Sequence, residues 1–206
     1  MGYRLGIPFL QSGDCPSSTC DLPQDEMGDH ALHCRDDRGL KTGRHDRIRD
    51  VIFQAAQHAS LNPLKEMPGL IPGSLSRPAD VYIGNWVDGR KVAFDVSVTS
   101  PTQEAVQHRA ADHPAAAIEV RKQAKMRAHH AECQAQGIFF QPLVVETLGG
   151  WDSDALKFLK ELGRQNARRW GRDSATEIKF LFQRLSIVLQ RGNAALLIER
   201  DHEPST

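Results

Sequence analysis

Apolar residues recur at every second position in two short runs near the middle of the chain. One is Val81-Tyr82-Ile83; the other runs from Val92 to Thr99, with Val92, Phe94, Val96 and Val98 on one side. Side chains alternate across a strand, so this spacing predicts two β-strands, and Asp88-Gly89 between them is a favoured hairpin turn pair. Elsewhere the period lengthens to three and four. Ile48, Val51, Ile52, Ala55, Ala56 and Ala59 predict a helix over 44–60, ended by Asn62-Pro63. After Ser100-Pro101 the pattern is helical again, Pro114 splits it, and a stronger helix runs from about Ala115 to Gln136. Ile138 to Glu146 predicts a further strand, and Pro142 within it marks it as edge-like or bulged. Two apolar stripes, Ala155 to Leu162 and Ile178 to Leu189, predict two closing helices. Tyr3, Leu5, Ile7 and Phe9 alternate weakly, as an edge strand or an extended arm would. The order is that of a mixed α/β (α+β) fold, a mixed central sheet flanked by helices.

Two carboxylates interrupt the strands. Asp95 lies among apolar residues, on the face shared by Ala93, Ser97 and Thr99, and Asp80 opens the preceding run just after Pro78. Strands are poor in Asp, and a buried carboxylate is costly without a partner. Each alone has an ordinary reading, Asp80 as a turn residue and Asp95 as one half of an ion pair. Together on paired strands they are better explained by a shared divalent cation.

A second cluster lies nearer the N-terminus. Cys15, Cys20, His30 and Cys34 have the spacing C-x4-C-x9-H-x3-C. Three thiolates and an imidazole are a common tetrahedral zinc set. His30 and Cys34 at i, i+4 share a face if His30-Ala-Leu-His-Cys34 is a helical turn; His33 is the rival ligand. The intervening segment has few core-forming residues, so a metal would be its main source of order. Cys133 stands apart and reads as packing.

Composition adds limits rather than a function. Apolar content of 40% and charged content of 25% are ordinary for a globular chain, and no apolar run reaches the length of a membrane span. The N-terminus lacks a signal-peptide pattern, so the cysteines are expected as thiols or metal ligands rather than disulfides. Net charge is zero but unevenly spread. Asp14 to Asp37 is acidic, whereas Arg121-Lys122-Lys125-Arg127 and Arg164-Arg168-Arg169-Arg172 are basic, which permits a local nucleic-acid surface. Solvated helix faces are the plainer reading of those basic runs.

The ordered set of motifs resembles the restriction-like endonuclease region of non-LTR retrotransposon proteins, in the PD-(D/E)xK superfamily. The residues that carry the resemblance are Cys15 to Cys34, Gly28-Asp29-His30-Ala31-Leu32, Arg44-His45-Asp46, Arg77-Pro78-Ala79-Asp80, Asp95-Val96-Ser97-Val98 and Lys122-x-x-Lys125. The superfamily lysine slot, two residues after the second acid, holds Ser97 here, and the resemblance moves the lysine to the next helix. No Tyr/Phe-x-Asp-Asp polymerase motif occurs, so the chain reads as the endonuclease piece alone, or as a decayed or domesticated copy.

The resemblance implies a restriction-endonuclease-like core over 41–150, preceded by an arm and a CCHC zinc knuckle over 1–40 and followed by a helical extension over 151–206. It implies a DNA endonuclease, a Mg²⁺-dependent phosphodiesterase. Asp80 and Asp95 would hold Mg²⁺ or Mn²⁺, and Lys122 or Lys125 would assist, a choice the sequence leaves open. Structural Zn²⁺ would sit on Cys15, Cys20, His30 and Cys34. DNA, with RNA as a second candidate, would meet Arg44, His45, Arg49, Arg77, Arg168 and Arg169; Glu66 is a weaker acid candidate. A nuclear location follows from the resemblance only. The alternative is a catalytically inactive zinc-containing nucleic-acid-binding module, which Ser97 and the zero net charge favour.

Overall fold

The computed structural model describes residues 6–35, 38–74 and 77–201. Tyr3 and Leu5 of the expected arm, Asp36 and Asp37 of the acidic segment, Leu75 and Ser76 of the loop before the first Asp strand, and the tail after Asp201 lie outside them. The described residues form a mixed α/β fold with a four-stranded mixed sheet and five α-helices. Two short strands, β1 (Gly13–Asp14) and β2 (Pro23–Gln24), pair with each other, and a 3-10 turn follows at His30–Leu32. Then come α1 (Leu40–His58), β3 (Leu64–Lys65), β4 (Val81–Ile83) and β5 (Lys91–Thr99). Helices α2 (Glu104–Asp112) and α3 (Ala116–Ala135) lead to β6 (Ile138–Glu146), and α4 (Ser153–Trp170) and α5 (Ser174–Asp201) close the fold.

The main sheet has the order β3-β4-β5-β6, antiparallel except for the parallel β5–β6 pair. The Pro-containing strand β6 is at the edge, where a missing N–H costs least. Both faces of β5 are covered. Val92, Phe94 and Val96 meet Ile48 and Ile52 of α1, Leu159 and Leu162 of α4 and Leu185 and Leu189 of α5. Ala93, on the other face, packs with Ile71, Cys133 and Phe140. The helices read as an extension over 151–206 therefore share one apolar cluster with α1 and the sheet.

Two expectations change. The β4–β5 connection spans seven residues, not a two-residue hairpin turn. Trp86 drops back into the core, edge-on to Phe94 at 5.4 Å, and Asp88-Gly89 turns within the longer loop. The arm makes no strand over residues 6–12; Phe9 and Leu10 instead donate to the Glu26 carbonyl.

Helices α4 and α5 approach closely because Gly163 has no side chain. A Cβ there would lie 2.7 Å from Ile178 Cγ1 and 2.9 Å from Ile178 Cα. Gly163→Ala is expected to destabilise the protein by about 1–3 kcal/mol, since overpacking outweighs the ~1 kcal/mol gain in helix propensity. The urea midpoint checks this; a midpoint equal to or above wild type would show that the helices can separate freely.

Candidate functional site

Asp80 and Asp95 meet because β4 and β5 pair with Val81 opposite Phe94. One further step in that register sets Asp80 across from Asp95, on the face opposite the main core. Asp80 Oδ2 accepts the Val96 N–H at 2.6 Å, so the carboxylate replaces a ladder carbonyl where β4 begins. The same oxygen is 3.0 Å from His45 Nε2 of α1, and His45 Nδ1 is 3.2 Å from Asp46 Oδ1. Burial alone would raise the Asp80 pKa; His45, the Val96 N–H and Lys125 more than offset it and hold the carboxyl below its usual range. Burial would lower His45, but Asp80 and then Asp46 hold its pKa above the ordinary imidazole value.

Asp95 is buried, with only 5% of its surface exposed. Lys125 of α3 places Nζ 2.9 Å from both carboxylate oxygens, with hydrogen-bond geometry only at Oδ1. Oδ2 is buried without a hydrogen bond of its own. Burial pushes the Asp95 pKa up to about 6; Lys125 opposes the shift and the facing Asp80 charge adds to it. Two facing carboxylates offer the oxygen donors that hard divalent ions take, and Lys125 is the ionic partner of Asp95 in this structure.

The two lysines of α3 diverge. Lys122 Nζ bonds to Asp152 Oδ1 at 2.9 Å and to Asp154 Oδ2 at 2.7 Å. Asp152 Oδ2 accepts from the Asp154 and Ala155 amides and so caps α4. Lys122 thus ties α3 to α4, and of the two lysines only Lys125 reaches the acid pair. One turn before Lys125, Arg121 Nε donates to Ser97 Oγ at 3.2 Å. Ser97, two residues after Asp95, is a hydroxyl under an arginine.

Beside the acid pair lies a cleft of about 390 Å³. His45, Val96 and Lys125 form its end nearest the aspartates, and Lys41, Ser97 and Arg121 line it further on. Among the described residues, no carboxylate lines it. Lys41 and Arg121 were not among the site residues expected from sequence; the available signal was their spacing of four residues from His45 and Lys125 on the same helices.

Several expected nucleic-acid contacts lie elsewhere. Arg44 is buried and bonds Asn193 Oδ1 at 2.8 Å and the Leu32 carbonyl at 3.3 Å, bridging α1, α5 and the 3-10 turn. Arg49 is also buried and pairs with Asp46, Asp50 and Glu66, so neither Arg49 nor Glu66 turns to the aspartates. Arg168 pairs with Glu161, and Arg169 bonds Ser60 Oγ. Both are at the far end of α4, roughly 25 Å along its axis from Asp152. Arg77 is exposed on the segment entering β4.

The Cys/His cluster assembles as a set. Ligand atoms of Cys15, Cys20, His30 and Cys34 all lie within 4.8 Å of one another. Cys15 Sγ is 3.7 Å from Cys34 Sγ, and Cys20 Sγ is 3.5 Å from His30 Nε2. A tetrahedral zinc would separate such pairs by about 3.8 Å and about 3.5 Å, so the residues fit a structural zinc ion. Asp25 accepts the Met27, Asp29 and His30 amides and fixes the turn that carries His30. The Leu22 N–H beside Cys20, against some burial and with help from the other thiols, holds the Cys20 pKa below its ordinary value and favours the ligating thiolate. His33 is outside the set and lines the cleft instead.

The chain matches no protein-family model and no curated protein sequence.

Proposed function

We propose that the chain is a metal-dependent DNA endonuclease of restriction-like fold, akin to the endonuclease region of non-LTR retrotransposon proteins. The observation that carries this reading is Lys125, which reaches Asp95 from α3 on the sheet face where Asp80 also lies. It supplies from a helix the cation missing at Ser97.

Asp80 and Asp95 would hold Mg²⁺ or Mn²⁺. When bound, that ion supplies charge neutralisation and an activated water for phosphodiester cleavage. His45 keeps the Asp80 carboxylate oriented through its 3.0 Å contact. Lys125 sets a positive charge at the mouth of the acid pair, where charge builds up on a phosphate under attack. The cleft beside it, lined by Lys41, Arg121 and Lys125, suits an anionic polymer. A binding module without chemistry is the second reading, favoured by the hydroxyl at Ser97.

The test is nicking of supercoiled plasmid by the zinc-loaded protein with and without Mg²⁺ or Mn²⁺. Metal-dependent nicking is expected; DNA binding without nicking would leave the binding module. A paired substitution sharpens the result. Lys125→Met is expected to slow nicking by about 100-fold or more. Lys122→Met is expected to keep the rate within about tenfold and to cost about 1–3 kcal/mol of stability, because it strips a partner from buried Asp152. Equal rate losses would contradict the assignment to Lys125.

A further inference from the structure

We infer that the cleft bounded by Lys41, Ser97 and Arg121 is a binding pocket for a second DNA backbone phosphate, next to the one held at Asp80 and Asp95. The inference rests on the endonuclease reading and adds residues that the acid pair does not include.

Three elements supply cations and hydroxyls to the pocket. Lys41 and Thr42 come from the first turn of α1, Ser97 and Thr99 from β5, and Arg121 from α3. Cations and hydroxyls therefore converge from separate parts of the chain, with no carboxylate among the described lining residues. Hydroxyl donors beside guanidinium and ammonium groups are the usual equipment for phosphate oxygens. Ser97 is buried, at 2% exposure, and its Oγ accepts from Arg121 Nε, which holds the guanidinium over the cleft.

The endonuclease reading makes the ligand a polymer, and the repeat of the strand suits it. Asp95, Ser97 and Thr99 lie on one strand face at alternate positions, each about 6.6 Å from the next. That is the scale of the step between neighbouring phosphates of one nucleic-acid strand. A strand with one phosphate at the acid pair would place the next at Ser97 and Arg121.

The experiment is fluorescence anisotropy of a labelled DNA duplex with the full zinc-loaded chain, without Mg²⁺ or Mn²⁺, over a salt series. Lys41→Gln combined with Arg121→Gln is expected to weaken binding about tenfold and to shrink the log–log salt slope by about 1, the signature of one lost phosphate contact. Arg121→Lys, which keeps the charge, is expected to retain most of the slope. Zinc content and thermal melting of each variant confirm that it is folded. An unchanged slope in the folded double variant overturns the pocket, whether or not the wild type nicks plasmid. Nicking by the wild type is scored separately, so failure of the endonuclease reading is told apart from failure of the pocket.

Discussion

Asp95→Asn is expected to abolish metal-dependent nicking, by about 1,000-fold or more, and at the same time to stabilise the metal-free protein above pH 6. The loss of activity follows from removing one of two carboxylates available to the ion. The gain in stability follows from the raised pKa. Burial and the facing Asp80 charge move Asp95 from its ordinary 3.8 to about 6 in the folded protein. Below pH 4 the carboxyl is neutral in both folded and unfolded chains and costs nothing. As pH rises through 6 the folded protein must ionise a group that the unfolded chain ionised more easily, so stability falls by an amount on the order of 2–3 kcal/mol. Asparagine stays neutral throughout. Thermal melts of both proteins in metal-free buffer should diverge between pH 4 and pH 7, with the variant higher at pH 7. A variant less stable at pH 7 would show that the Lys125 contact outweighs the burial of charge.

Removing metal from the Cys15, Cys20, His30 and Cys34 cluster is expected to unfold the N-terminal segment while the sheet stays folded. Residues 13–34 hold two two-residue strands and one 3-10 turn, too little hydrogen-bonded structure to order a chain unaided. Zinc in small ligand sets supplies roughly 10–16 kcal/mol of apparent binding free energy, far more than this segment gains by burying Ala31 and Leu32. After chelation, or in Cys34→Ser, amides of residues 24–34 should exchange rapidly while those of β5 and β6 remain protected. The cleft would lose the wall made by Leu32 and His33, so DNA affinity should fall together with zinc content. Unchanged protection over residues 28–34 after verified metal loss would show that packing on α5 suffices by itself.

The strands, the helices and the Cys/His cluster were legible where local spacing carries the information. Period-two alternation assigned the faces of β5, and the Cys and His spacing picked out the four residues that converge. What stayed hidden depends on partners distant in sequence. Lys122 and Lys125 share a helix stripe, and only the tertiary position of Asp152 separates them. Arg44 reads as a surface residue because nothing near it in sequence says that Gly192 leaves a gap for it. A Cβ at Gly192 would come within 2.4 Å of Arg44 Cγ, and neighbouring Asn193 accepts from the guanidinium. The long β4–β5 loop follows from Trp86, whose ring packs against Phe158 as well as Phe94.

The last helix also governs when the molecule can close. Leu185 and Leu189 of α5 complete the cluster around Ile48 and Phe94, and Arg44 is linked to Asn193 across 149 residues. Arg200 donates to Cys15 Sγ across 185. Contacts between positions so far apart require the ends of a long loop to meet before they return any free energy, which slows folding. On the ribosome, α1 and β5 are made long before the helix that covers them. Their apolar faces stay open until translation passes residue 190, and an interruption before that point leaves a sticky intermediate rather than a smaller folded protein.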